Sequence, residues 1–192
     1  MGWHVRDLGY DSPVSVTGGA GGAVFTRAAS TPFITGGMNR FVSGGGWLAR
    51  EDLTPFIPTA ATLGADTGFL IGREDRAIAL RTFTSGKPAG ESVLQAKSGA
   101  QVGGGHIAAN VSGAARAAWV EYPEAPKGAQ ILYAARVFPG PLWGARRQIE
   151  TSTCSLIDPT IAVSDVGEGL LVWAETCGRR HALKSVRTLD GR

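Results

Sequence analysis

Short runs of alternating apolar and polar residues, each closed by glycine, recur along the chain and read as β-strands rather than helices. The clearest run is His106-Ile107-Ala108-Ala109-Asn110-Val111-Ser112-Gly113, followed by Ala117-Ala118-Trp119-Val120-Glu121. A second run copies it: Pro159-Thr160-Ile161-Ala162-Val163-Ser164-Asp165-Val166-Gly167, then Leu171-Val172-Trp173-Ala174-Glu175. In both, a glycine stands six residues before the Trp and a Glu two residues after it. The first half repeats the frame more faintly, with Gly19 six residues before Phe25 and Gly64 six before Leu70.

Each copy continues into a second apolar strand that ends at an arginine: Arg40, Arg81, Arg136 and Arg187. A Trp follows seven residues later in two copies, Trp47 after Arg40 and Trp143 after Arg136. Pro88 takes that place after Arg81, so the second copy reads as degenerate. The fourth copy runs out in Thr188-Leu189-Asp190-Gly191-Arg192. Read from the end back to the beginning without Met1, Trp3 falls seven places after Arg187. The segment Trp3-His4-Val5-Arg6 is therefore expected to supply the missing strand.

In the third copy the pattern predicts strands near 106–111, 115–121, 130–138 and 143–149. One such sheet cannot bury its own apolar face, so neighbouring copies must cover it. The expected fold is all-β: a single repeat domain forming a four-unit β-propeller-like array of four-stranded antiparallel sheets. Its units run roughly 11–52, 53–98, 103–150, and 156–192 plus 2–8, the N-terminal strand closing the ring. A β-sandwich is the alternative arrangement. A larger ring from two chains, a homo-oligomer by strand exchange, is a further form of the same closure.

Composition supports turns over helices, with 28 Gly and 10 Pro. The net charge of +3 is spread out, and its densest spots, Arg146-Arg147 and Arg179-Arg180-His181, make no basic stripe with interleaved aromatics. Nucleic acid is not an expected partner. No run of 18 apolar residues occurs, so no transmembrane segment is expected. The opening residues do not read as a secretory signal.

Candidate chemistry gathers two residues after the aromatic of each copy. Arg27, Glu121 and Glu175 stand there, with Gly72 and then Arg73 in the second copy. Tyr122 and Arg179 adjoin them, and the long turns 28–37 and 122–129 lie on the same face. Arg27, Arg73, Glu121, Tyr122, Glu175 and Arg179 are accordingly the candidate ligand-binding residues, since loops on a rigid scaffold carry recognition. A closed polar network among them is the other reading. Glu121 and Glu175 could also serve as the paired acid and base of a glycosidase. The four recurrent arginines suit a structural task, lying along a neighbouring Trp and bonding carbonyls.

His4, His106 and His181 have no metal-like spacing, and Cys154 and Cys177 form no Cys-x-x-Cys, so no metal or other cofactor is expected. Gly44-Gly45-Gly46 and Gly103-Gly104-Gly105 lack the partners of a phosphate loop and read as turns. Cys154 and Cys177 fall on one rim of the ring, where a disulfide is reasonable and free thiols are the alternative. The bond would favour a secreted or cell-surface setting.

The stretches Asp158-Pro159-Thr160-Ile161-Ala162-Val163, Gly169-Leu170-Leu171-Val172-Trp173-Ala174-Glu175 and Ser185-Val186-Arg187 resemble the repeats of sialidase-like and related bacterial β-propellers. Trp119-Val120-Glu121 and Ala134-Ala135-Arg136 with Trp143 are similar to them too. The resemblance covers mainly residues 105–192 and implies the propeller. Sialidases of that kind carry Ser-x-Asp-x-Gly-x-x-Trp turns, an arginine triad and a tyrosine nucleophile. Ser164-Asp165-Val166-Gly167 has neither the spacing nor the Trp, so sialidase activity is not carried over. The expected function is a non-enzymatic binding or scaffold module recognising carbohydrate or protein through loops on one face. A glycan-processing hydrolase using the acidic residues of that face is one rival; a permuted or shortened propeller with little function of its own is the other.

Overall fold

A computed structural model describes residues 12–17, 21–30, 33–42, 46–47, 49, 51–53, 55–64, 67–84, 87–96, 100–138 and 142–188. They form an all-β array of four small antiparallel sheets. Sheet A holds β1 (Ser12–Thr17), β2 (Gly21–Ser30), β3 (Phe33–Val42), β4 (Gly46–Trp47) and β5 (Glu51–Asp52). Sheet B holds β6 (Ile57–Gly64), β7 (Thr67–Glu74), β8 (Ala77–Thr84) and β9 (Lys87–Gln95). Sheet C holds β10 (Gln101–Ala109), β11 (Ala115–Tyr122), β12 (Gln130–Phe138), β13 (Leu142–Trp143) and β14 (Arg147–Ser152). Sheet D holds β15 (Ser155–Val163), β16 (Gly169–Cys177) and β17 (Arg180–Thr188). Among the described residues, β17 pairs with β16 alone. The expected closing strand, 2–8, lies outside the described residues.

The first three strands of each sheet form a meander of local hairpins, β5 and β14 return to pair with β3 and β12, and the apolar faces are left to stack on one another. The first strands make much of that stacking: β1 packs by β6, β6 by β10, and β10 by β15. Between sheets B and C lie Phe69, Ile71, Ile78 and Leu80 against Ile107, Ala117, Trp119 and Tyr133. Between C and D lie Ala118, Val120 and Leu132 against Leu156, Ile161, Leu171 and Trp173. Alternate residues of one strand thus serve two interfaces: Trp119 faces B while Val120 faces D. The period-two pattern of β11 is masked because both of its faces are covered, and seven of its eight residues are buried.

Hairpin chemistry is repeated as well. Gly113 and Gly167 adopt φ near +83° and +84°, a conformation glycine takes without steric cost. In the first turn Asn110 accepts from Gly113 N, and in the second Ser164 accepts from Gly167 N. Asn110 also fastens sheet C to sheet D. Its Oδ1 accepts from Ser112 N and Ala114 N, and its Nδ2 donates to Ser164 O (2.8 Å) and Asp165 O (3.1 Å). Arg116 Nε donates to Gly167 O at 2.9 Å beside it.

Several expectations need correction. Residues 28–37 are not a long turn, since β2 runs to Ser30 and β3 begins at Phe33. Gly103-Gly104-Gly105 is not a turn but the middle of β10. A Cβ on Gly103 would meet the Tyr122 ring at 2.9 Å, and one on Gly105 would meet Ile71 at 3.0 Å, so any larger residue there would push these side chains aside. The second unit is not degenerate at its edge: β9 pairs with β8 along its whole length, with one register shift. Arg81 and Arg136 lie over Phe56 (4.6 Å) and Phe138 (5.5 Å) rather than over a Trp. Arg81 also donates to Leu53 O, in the structural manner expected.

Candidate functional site

The first strand of every sheet is interrupted by a register shift at the same place: Pro13/Ser15, Pro58/Ala60, Val102/Gly105 and Ile157/Thr160. Such bulges break the ladder and re-aim side chains. Those of β6, β10 and β15 line one groove of about 470 Å³ with Thr59, Gly104, Gly105, Asp158, Pro159 and Thr160. Tyr122 and Gln130 close it at the end of sheet C that carries the 123–129 turn.

The groove floor is held by bonds between neighbouring first strands. Thr59 Oγ1 donates to Gly105 O (2.8 Å) and accepts from Gly105 N (3.1 Å). His106 Nδ1 accepts from Ile161 N at 3.3 Å, which leaves the ring proton on Nε2. Burial lowers the pKa of His106 below 6.5, so the ring is neutral at physiological pH. Gln130 Oε1 accepts from Leu156 N at 2.7 Å. Asp158 is exposed and has φ near +50°, a region that Asp tolerates better than most residues. Tyr122 lies over Gly103 and stays 38% exposed. The groove therefore offers an aromatic face, a carboxylate and a fixed neutral imidazole on a rigid floor.

The sequence-derived candidates divide. Tyr122 lines the groove. Glu121 is beside it in sequence but only 1% exposed, turned into sheet C, where its Oε1 accepts from Trp119 Nε1 (3.1 Å) and Arg146 Nη1 (2.7 Å). Glu175 is bound into a seam between sheets C and D. It accepts from Ser152 Oγ at 2.6 Å and pairs with Lys184 at 2.7 Å. Lys184 also pairs with Glu150, which accepts from Trp173 Nε1 at 2.6 Å. Lys184 and then Ser152 hold the Glu175 carboxyl below its ordinary 4.5, while Glu150 and then Glu175 hold the Lys184 amine above 10.5. Both glutamates thus sit in polar networks. Arg73 is half-buried on β7, opposite Ile57 and Ile78. Arg179 is exposed in the turn after β16. Arg27 is on β2, opposite Ser12 and Gly36 in sheet A. Neither Arg73 nor Arg179 lines the groove.

Cys154 and Cys177 are joined as a disulfide with their Cα atoms 4.9 Å apart. The bond ties the link before β15 to the end of β16 at the rim of sheet D. It is consistent with an extracellular setting. Among the described residues, no group of three or more His, Cys, Asp or Glu is placed to hold a metal ion. No helix among them is long and apolar enough to cross a membrane.

Sequence reasoning passed over Asp158, Thr59 and the place of His106 in the groove lining. The signal was present: Pro13, Pro58 and Pro159 recur at the bulges, and proline inside a strand marks one.

No family model matches the chain, and no curated protein does. Solved structures do. A chain of a nidogen/laminin complex superposes with a TM-score of 0.52 at 9% identity, covering 91% of this chain. This chain spans 65% of the length of that one. The likeness shows a shared fold and nothing of activity. A puromycin hydrolase mutant complexed with PGG aligns over 84% of this chain at 14% identity, with a TM-score of 0.31 that carries no argument.

Proposed function

We propose that this chain is a non-enzymatic binding module that recognises carbohydrate in the groove where the bulges of β6, β10 and β15 meet. We further propose that its four sheets are successive blades of a β-propeller ring. The observation that carries the binding reading is that the exposed residues Tyr122 and Asp158 line the same groove. An aromatic face stacks on the apolar face of a sugar, and a carboxylate with fixed donors reads hydroxyl positions.

The rival hydrolase reading needs two free carboxyl groups. Glu121 and Glu175 already accept two hydrogen bonds or ion pairs each, which favours binding over turnover. The test is a glycan array run beside a chromogenic glycoside panel. Binding without turnover, lost in Tyr122→Ala and in Asp158→Asn, is expected. Turnover abolished by Glu121→Gln or Glu175→Gln would replace this reading with the hydrolase, and an array with no bound glycan would end it.

A further inference from the structure

Packing does not account for every glycine in the run at the middle of β10. A Cβ on Gly103 would meet the Tyr122 ring, and one on Gly105 would meet Ile71 at 3.0 Å and Ala118 O at 3.2 Å. Gly104, between them, differs. It is exposed, and a Cβ there would find Thr59 Cγ2 at 3.9 Å and nothing closer. Its φ is not in the left-handed region that favours glycine, so the bulge does not require glycine at this position. Glycine weakens a strand, and a β-branched residue would serve β10 better. What the bare position does is keep the groove open, since Gly104 lines it together with Thr59. A strand glycine with room around it marks a place where a ligand approaches the backbone.

The groove also has an electrostatic sign. Among the described residues that line it, Asp158 carries the one charged side chain, with no Lys or Arg to offset it. His106 is neutral, and its Nδ1 is occupied by Ile161 N. Gln130 Oε1 is taken by Leu156 N, which leaves the amide nitrogen of Gln130 to donate. Asp158 holds φ near +50°, a backbone region that persists where the surrounding structure fixes it and that clusters at ligand sites. Tyr122, 38% exposed, lines the same groove, and the face of an aromatic ring attracts cations. A carboxylate and an aromatic ring with no base among these residues favour a cation and repel an anion.

We infer that the groove takes a sugar unit with a free ammonium group, a deacetylated aminohexose, seated on the bare backbone of Gly104 with its charge met by Asp158. The inference rests on the carbohydrate reading and narrows it to one class of glycan. Uronates and sulfated sugars bring a negative charge to a groove that already holds one. An N-acetylated unit keeps the ring but loses the ion pair and adds bulk. An exposed ion pair together with a cation on the Tyr122 face is worth about tenfold in affinity. Gly104 supplies the room and Asp158 the selectivity, so the two residues can be tested separately.

The test is calorimetry on the full chain at about pH 6, where such amines are charged. The probes are the glucosamine hexamer of chitosan, the N-acetylglucosamine hexamer of chitin, and an oligogalacturonate of similar length. The glucosamine hexamer should bind about tenfold more tightly than its acetylated counterpart, and the uronate should not bind. Asp158→Asn, which keeps the shape of the side chain, should bring the two hexamers to the same affinity. Gly104→Val should lose the glucosamine hexamer with circular dichroism and melting temperature unchanged. Equal affinity of the two hexamers for the wild type, or tighter binding of the uronate, would overturn the ammonium class and leave the carbohydrate groove standing. So would silence from all three probes while another glycan binds on the array. A Gly104→Val variant that binds like the wild type, or that melts well below it, would overturn the seat on Gly104. Silence from the probes and from the whole array would end the carbohydrate reading as well.

Discussion

Leu132 and Leu183 occupy the same place in two copies of one sheet, which makes them a controlled pair. Leu132 is 0% exposed between sheets C and D; Leu183 is 79% exposed on the outer face of D. Truncating Leu132 to Ala removes apolar surface worth about 2 kcal/mol by transfer alone, and the hole left between two packed sheets raises the cost to about 3–4 kcal/mol. Truncating Leu183 in an isolated chain should cost no more than about 0.5 kcal/mol, the usual size for an exposed position. The assay is urea unfolding of both variants, followed by tryptophan fluorescence. Equal losses would refute the assignment of faces.

Other consequences can be measured singly. Asn110→Ala removes a buried amide that serves two hairpins and should cost about 2–3 kcal/mol by thermal or urea unfolding, whereas Ser112→Ala should cost far less. Reducing Cys154–Cys177, which closes a loop 23 residues long in sequence separation, should lower stability by about 3 kcal/mol, read as a shifted urea midpoint. His106 has its pKa lowered by burial, so the unfolded chain takes up a proton near 6.5 that the folded chain refuses. Stability should therefore fall as pH drops below 6.5, and His106→Gln should remove that slope. The Glu175–Lys184 pair works at the extremes. The contribution of Glu175 is complete above 4.5 and lost as pH falls through its lowered pKa; that of Lys184 is present below 10.5 and lost as pH rises through its raised pKa. Melting temperature against pH in Lys184→Met should show both edges flattened.

The strands were legible because hairpins are local. Gly113 and Gly167, each six residues before a Trp, mark the turns, period-two runs mark β10, β15 and β16, and β11 reads as an unbroken apolar run. Where sequence reasoning failed, the deciding atom belonged to another strand. Gly103-Gly104-Gly105 reads as a turn until the Tyr122 ring and Ile71 are placed against it. Glu121 reads as a surface acid because it stands near the end of an apolar strand, yet Arg146, distant in sequence, draws it inward. Of the five candidate site residues whose side chains are described, Tyr122 alone lines the groove, because the groove is made by bulges of three sheets and no single repeat contains it.

The sequence by itself determined an all-β array of small repeated sheets, since alternation, glycine turns and the spacing from arginine to tryptophan are properties of neighbours in the chain. Only the tertiary structure decided which face of each sheet is covered, which acids are tied into networks, and where three bulged strands meet to leave a groove. Those depend on stacking between sheets, which brings residues such as His106 and Ile161 together across more than fifty positions. No local pattern of polarity records that meeting.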